Sequence, residues 1–131
     1  MGRKSFVCIY PEDRKPSQAR FDGTRREIIC DETTPTDRLV SGVVELVAPG
    51  CIINLHYHDI EELQFILFGS GVARDADSNE YPLFPGASVY CAPGPEGAHE
   101  FENTGDTPLG ILFVFPSEGG KFPGITLVHK E

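Results

Sequence analysis

The sequence predicts an all-β chain of a single domain, folded as a sandwich or barrel, and three observations carry that prediction. Short apolar runs separated by Gly, Pro, Asn and Asp fill almost all of its 131 residues. The separators fall at hairpin spacing. No 11-residue window holds a 3.6-residue apolar period, which leaves many short strands as the consistent reading. At this length one core is expected, with about two-thirds of the unfolded surface buried on folding. A composition of 40% apolar and 24% charged residues is that of a globular domain and excludes a disordered chain.

Taken in order, the first candidate strand is Ser5–Ile9, ended by Pro11. Residues 11–26, rich in Lys, Arg, Pro, Asp and Gly, read as an extended arm. The arm is either a plain surface loop or a source of cations for a pocket mouth, because this stretch and its neighbours hold most of the arginine. Glu27–Cys30 follows, then a single helical turn near Pro35–Arg38. Leu39–Val47 and Ile52–His58 flank the breaker Pro49-Gly50. Leu63–Phe68 and Val72–Asp75 flank Gly69-Ser70-Gly71, and Asp77-Ser78-Asn79 ends the latter. Pro85-Gly86 introduces Ala87–Cys91, Pro93-Gly94-Pro95 precedes His99–Glu102, and Asn103-Thr104-Gly105 precedes Leu109–Phe115. After Glu118-Gly119-Gly120 the last candidate is Ile125–His129. The organisation is one structural domain: residues 1–37 as N-terminal strands and arm packing on the barrel, residues 38–131 as the barrel itself.

A net charge of −9 excludes a basic nucleic-acid-binding face and a polybasic membrane-surface protein. The charge is unevenly spread. Residues 39–120 hold one basic residue, Arg74, against twelve Asp and Glu. That is either a solvated acidic surface or a segment built around something cationic. The apolar stretch at the N-terminus is too short for a secretory signal, and no run approaches the length of a membrane span. A cytoplasmic protein is expected. Cys8, Cys30, Cys51 and Cys91 contain no Cys-x-x-Cys pair, so they read as buried or idle thiols rather than a zinc ribbon.

The histidines carry the chemistry. His56 and His58 stand two apart on a candidate strand, so alternation places both on one face, about 6.5–7 Å apart along the chain. Glu62 follows four residues later. Two imidazoles and a carboxylate on one face are costly to bury without a metal or another partner. His99 shares a face with Phe101, which assigns it to the interior, while Glu100 and Glu102 take the opposite, solvent face. His129 shows no such pattern and reads as a surface residue. Three imidazoles and one carboxylate suit Fe, Mn, Ni, Co or Zn as one divalent transition metal, and disfavour Ca or Mg. By the same parity Asn54 and Gln64 share the ligands' face, which makes them candidates for hydrogen bonds to a ligand or substrate. Tyr57 points the other way.

These residues also form a recognisable pattern. Gly50, five residues, His56-Tyr57-His58, three residues, Glu62, six residues and Gly69 reproduce every fixed position of the first motif of the cupin superfamily, which the chain resembles. The second motif is modified. Gly86, Gly94, His99 and Asn103 are in place, Ala92 stands where the family has Pro, and two extra residues precede His99. The likeness, of the small single-domain (monocupin) type, spans roughly residues 38–130. It implies a double-stranded β-helix, a jelly-roll barrel around a central pocket, with His56, His58, Glu62 and His99 as metal ligands.

Cupins include dioxygenases, oxalate decarboxylases, isomerases, lyases, epimerases, sensors and storage proteins, so the fold does not choose among them. The intact ligand set favours a metal-dependent enzyme acting on a small oxygenated metabolite, by Lewis-acid chemistry (lyase, isomerase or decarboxylase) or by dioxygenase chemistry. The alternative is a non-catalytic cupin that binds a metal or small ligand. No residue emerges as a general acid or base. Leu63–Phe68 and Leu109–Phe115 are apolar on both faces, which asks for a second packing layer. A homodimer is expected, as is common among similar small cupins, unless the arm covers that surface.

Overall fold

The computed structural model describes residues 6–34 and 37–129, and it is built almost wholly of antiparallel strands. They are β1 (Lys15–Ser17), β2 (Thr24–Cys30), β3 (Leu39–Leu46), β4 (Ile52–Tyr57), β5 (Glu62–Phe68), β6 (Gly71–Asp75), β7 (Glu80–Leu83), β8 (Ser88–Cys91), β9 (His99–Asn103), β10 (Leu109–Pro116) and β11 (Thr126–Leu127). Two sheets face one another. One has the order β1-β2-β3-β10-β5-β8, the other β11-β4-β9-β6-β7. This is the double-stranded β-helix.

Most expected strands are present with shifted ends. Ser5–Ile9 is a correction: residues 6–9 form no strand, and Ser5 lies outside the described residues. The helical turn expected at Pro35–Arg38 lies partly outside them, and Asp37 and Arg38 form a bend. Residues 11–26 are more ordered than an extended arm. They hold a 3₁₀ turn at Pro11–Asp13 and the whole of β1, and β2 begins at Thr24. β2 pairs with β3 along its length, so this N-terminal segment continues one sheet and does not merely lie on it.

The core lies between the sheets in two clusters. Leu46, Ile53, Ile66, Ala73, Leu83, Phe101, Leu109 and Ile111 form the larger, and Val40, Phe113 and Phe115 the smaller. β10 anchors its sheet, pairing with β3 on one side and β5 on the other. Gly42 of β3 makes room for Phe113, since a Cβ there would lie 2.9 Å from the ring and 2.3 Å from the Glu27 carbonyl oxygen. A pocket opens between the clusters, lined by Ile53, Phe101 and Ile111 of the larger and Phe113 and Phe115 of the smaller.

The outer face of the second sheet accounts for part of the acidic excess. Arg74 binds Glu80 at 2.8 Å, Glu100 at 3.0 Å and Glu102 at 2.9 Å. Glu100 and Glu102 do face away from the pocket. Glu100 is nonetheless buried rather than solvated, because the guanidinium covers it.

Candidate metal centre

His56 and His58 reach the pocket from β4 and the residue following it, Glu62 from the start of β5, and His99 from the start of β9. All four are buried. The His-x-His spacing keeps both rings on one face, and the antiparallel pairing of β4 with β9 sets His56 opposite His99. The two extra residues before His99 are absorbed by a 3₁₀ turn at Pro95–Gly97, held by the Gly94 amide donating to the His58 carbonyl at 2.8 Å. His99 therefore reaches the cluster despite the insertion.

Each ring is oriented by its own backbone contact. Nδ1 of His56 lies 2.7 Å from the Asn54 carbonyl oxygen, that of His58 2.9 Å from the Gly124 oxygen, and that of His99 2.9 Å from the Gly97 oxygen. A carbonyl only accepts, so Nδ1 is the protonated nitrogen in each neutral ring and Nε2 keeps its lone pair. This is the arrangement by which metal-binding histidines are fixed in orientation and tautomer. One ligand atom from each of the three rings lies within 4.8 Å of the others.

Glu62 completes the set. Its Oε1 lies 3.4 Å from His58 Nε2 and 3.2 Å from His99 Nε2, is fully buried, and has no hydrogen-bond partner. With neutral rings, every atom at this point is an acceptor. A buried acceptor without a donor costs on the order of 1–3 kcal/mol, more for a charged group, and a cation relieves that cost directly. The donor set thus fits a divalent transition metal, on the evidence of an orphaned carboxylate oxygen facing imidazole lone pairs.

In the metal-free chain one proton can take the place of that cation. Burial opposes charge on His99, but contacts with Cys91 and Glu62 outweigh it and lift the ring to about 10. His56 moves the other way, to about 4, chiefly through burial and then through the neighbouring His99. Burial pushes the Glu62 carboxyl up, yet its contacts with His58 and His99 hold it below the usual carboxylate range.

Gln64 lines the pocket and is 2% exposed. Its Nε2 lies 3.5 Å from His99 Nε2, and its Oε1 accepts from the Cys91 thiol at 3.5 Å. Asn54 is a correction: its side chain is exposed and it does not line this pocket. Between the pairs Ile53↔Phe101 and His56↔His99, β4 spends three steps against two on β9. That bulge reverses the parity, so Ile53 faces the pocket where Asn54 was expected. Tyr57 does not line the pocket, and His129 is exposed as expected.

Three residues in or beside the pocket were given no site role from the sequence. Cys91 is buried beside the cluster, its sulfur within 4.8 Å of ligand atoms of Glu62 and His99. Nothing in the sequence distinguishes it from the other cysteines. Arg20 and Arg26 line the pocket together with Phe21. The concentration of arginine in the N-terminal segment was the signal, without pointing to these two. Burial lowers both guanidiniums, and Arg26, further opposed by Arg20, falls to about 10.

A family model described as "Cupin domain" matches residues 43–115. The polyketide cyclase RemF from Streptomyces resistomycificus has a similar structure, with a TM-score of 0.80 at 21% identity over 96% of this chain and 87% of that one. KdgF from Halomonas sp. superposes with a TM-score of 0.69 at 16% identity, covering 87% of this chain and 96% of its own. A predicted oxalate decarboxylase from Thermotoga maritima gives 0.66 at 23% identity, covering 85% and 99%. Among curated proteins no sequence matches significantly. At these identities the structural likenesses speak to the fold.

Proposed function

The chain belongs to the cupin family, and we propose that it is a metal-dependent enzyme of that family acting on a small oxygenated metabolite. His56, His58, Glu62 and His99 hold one divalent transition metal (Fe, Mn, Ni, Co or Zn). The observation that carries this reading is the buried, unpartnered Glu62 Oε1 among imidazole nitrogens whose Nδ1 atoms are all engaged elsewhere. When bound, the metal supplies Lewis acidity toward a substrate oxygen, or a redox centre if the ion is redox-active.

The chain's own residues do the rest. The three backbone carbonyls hold the rings in the ligating tautomer. Gln64, oriented by Cys91, offers its amide to a substrate oxygen beside His99. Phe101, Phe113 and Phe115 line the pocket with apolar surface, which strengthens electrostatic contacts made inside it. That similar folds include a polyketide cyclase and a predicted oxalate decarboxylase supports the enzyme reading without choosing a reaction. We further propose that the chain acts as a homodimer.

The test is turnover. Protein loaded in turn with each of the five metals is incubated with small hydroxy-, oxo- and dicarboxylic acids, with and without dioxygen, and products are followed by NMR. Conversion that requires metal and is lost in Glu62→Gln is the expected result. A compound held tightly by the metal-loaded protein and released unchanged would favour the non-catalytic binding protein instead.

A further inference from the structure

Two arginines reach the same pocket from the N-terminal segment, and their surroundings differ from those of Arg14, Arg25 and Arg74. Arg14 faces Glu27 at 3.7 Å, Arg25 faces Glu45 at 2.7 Å, and Arg74 binds three glutamates. Arg20 and Arg26 have no carboxylate of a described residue in ion-pairing range, in a chain whose net charge is −9. Arg20 Nη2 donates to the Pro123 carbonyl at 3.0 Å, and Arg26 Nη1 donates to Ser17 Oγ at 3.1 Å. A guanidinium carries five N–H donors. Most of the donors on both side chains are therefore left for a ligand.

Arg26 is held over two aromatic rings. Its guanidinium carbon lies 4.6 Å from the centre of the Phe122 ring and 5.5 Å from that of Phe113. Cation–π contact holds the guanidinium without using its N–H donors. Two like charges lining one pocket repel each other, and an anion placed between them relieves that repulsion. Glu62, which belongs to the metal cluster, lies close enough to attract the Arg20 guanidinium.

We propose that the pocket takes a small organic acid, its carboxylate bound by Arg20 and Arg26 and its apolar body resting on Phe21, Phe113 and Phe115. The inference rests on the reading of this pocket as the substrate site and adds the class of substrate to it. Delivery by the N-terminal segment makes β2 and the loop before it part of the specificity apparatus, not merely a continuation of the sheet.

The probe is benzoate, compared with its neutral isostere benzamide, titrated by NMR into zinc-loaded protein and into chelator-treated protein. Wild type is expected to bind benzoate at least tenfold tighter than benzamide. R20Q should weaken benzoate several-fold with benzamide unchanged, and R20Q/R26Q should abolish the preference, while R26K retains part of it. Equal affinity for the two probes in wild type, or a preference that survives R20Q/R26Q, overturns the proposal. If zinc does not bind, an Arg-dependent preference in the chelated protein keeps the anion subsite and leaves the metal reading to the other four ions. Arg20 is exposed, so R20Q remains decisive even if substituting Arg26 unfolds the segment.

Discussion

Three backbone carbonyls, from Asn54, Gly97 and Gly124, determine what the histidines can do. By engaging Nδ1 they leave three Nε2 lone pairs and one carboxylate oxygen facing a common point. The metal-free protein must then manage that convergence with protons, which gives it a particular pH response. His56 has an ordinary value of 6.5 when unfolded and about 4 when folded, so between those values the unfolded chain binds more protons and acidification destabilises the fold. His99 is raised to about 10, so its stabilising charge is complete below 6.5 and is lost as pH rises through 10. Chelator-treated protein should therefore be most stable near pH 6.5 and lose stability on both sides. At about 1.4 kcal/mol per pKa unit each flank amounts to a few kcal/mol. Urea denaturation across pH 4–10 checks this, and a flat profile would contradict it. At this scale the pairing of His56 with His58 was legible in the sequence, because the His-x-His period places both rings on one face whatever the neighbouring strand does. Asn54 was not, because parity fails across the bulge between Ile53 and His56. Cys91 was not, because its role comes from cross-sheet proximity.

Among the elements, the two strands that sequence reading overlooked share a cause. β1 contains Pro16 and β7 contains Pro82, and proline argues against a strand. Both are edge strands, where a missing N–H costs no ladder hydrogen bond. The turns are more faithful to sequence. Gly69 has a φ of +84°, and a Cβ there would lie 2.3 Å from the Pro108 carbonyl oxygen, so this motif glycine is required by the β5–β6 connection. Asn103 closes the second motif for an equally local reason. Fully buried, it donates to the carbonyls of Leu46, Ala48 and Thr107 and accepts from the Gly105 amide, tying β9 to the ends of β3 and β10. Asn103→Ala should destabilise the protein by about 2–4 kcal/mol, since several buried backbone groups lose their partner. Thermal or urea unfolding measures this, and a change below about 0.5 kcal/mol would show that the motif asparagine is dispensable.

For the whole molecule, the jelly roll explains how His56, His58, Glu62 and His99 meet from three separated segments, and it also leaves one face unfinished. Leu63 and Phe65 of β5 and Tyr90 of β8 stand exposed on neighbouring strands, at 51%, 39% and 63%. Strands β1 and β2 do not cover them, because they continue the sheet at its opposite edge. A second copy of the chain is the expected partner for this surface. Sedimentation should give a dimer for wild type and a monomer for L63E/F65E, with metal content unchanged. A monomeric wild type at tens of micromolar would remove the dimer. No helix among the described residues is long and apolar enough to cross a membrane. The acidic excess was visible in the sequence, but its partial neutralisation by Arg74 depends on β6 and β9 lying side by side, which only the fold decides.

Metal content decides whether His56, His58, Glu62 and His99 hold an ion. Untagged protein and its H56A/H99A variant are purified in parallel, incubated with each candidate ion, desalted and measured by elemental mass spectrometry. About one transition-metal ion per wild-type chain and almost none in the variant is expected, with both proteins folded by circular dichroism. Wild-type protein that stays empty after exposure to every one of the five metals, or a variant that retains a full equivalent, would contradict it.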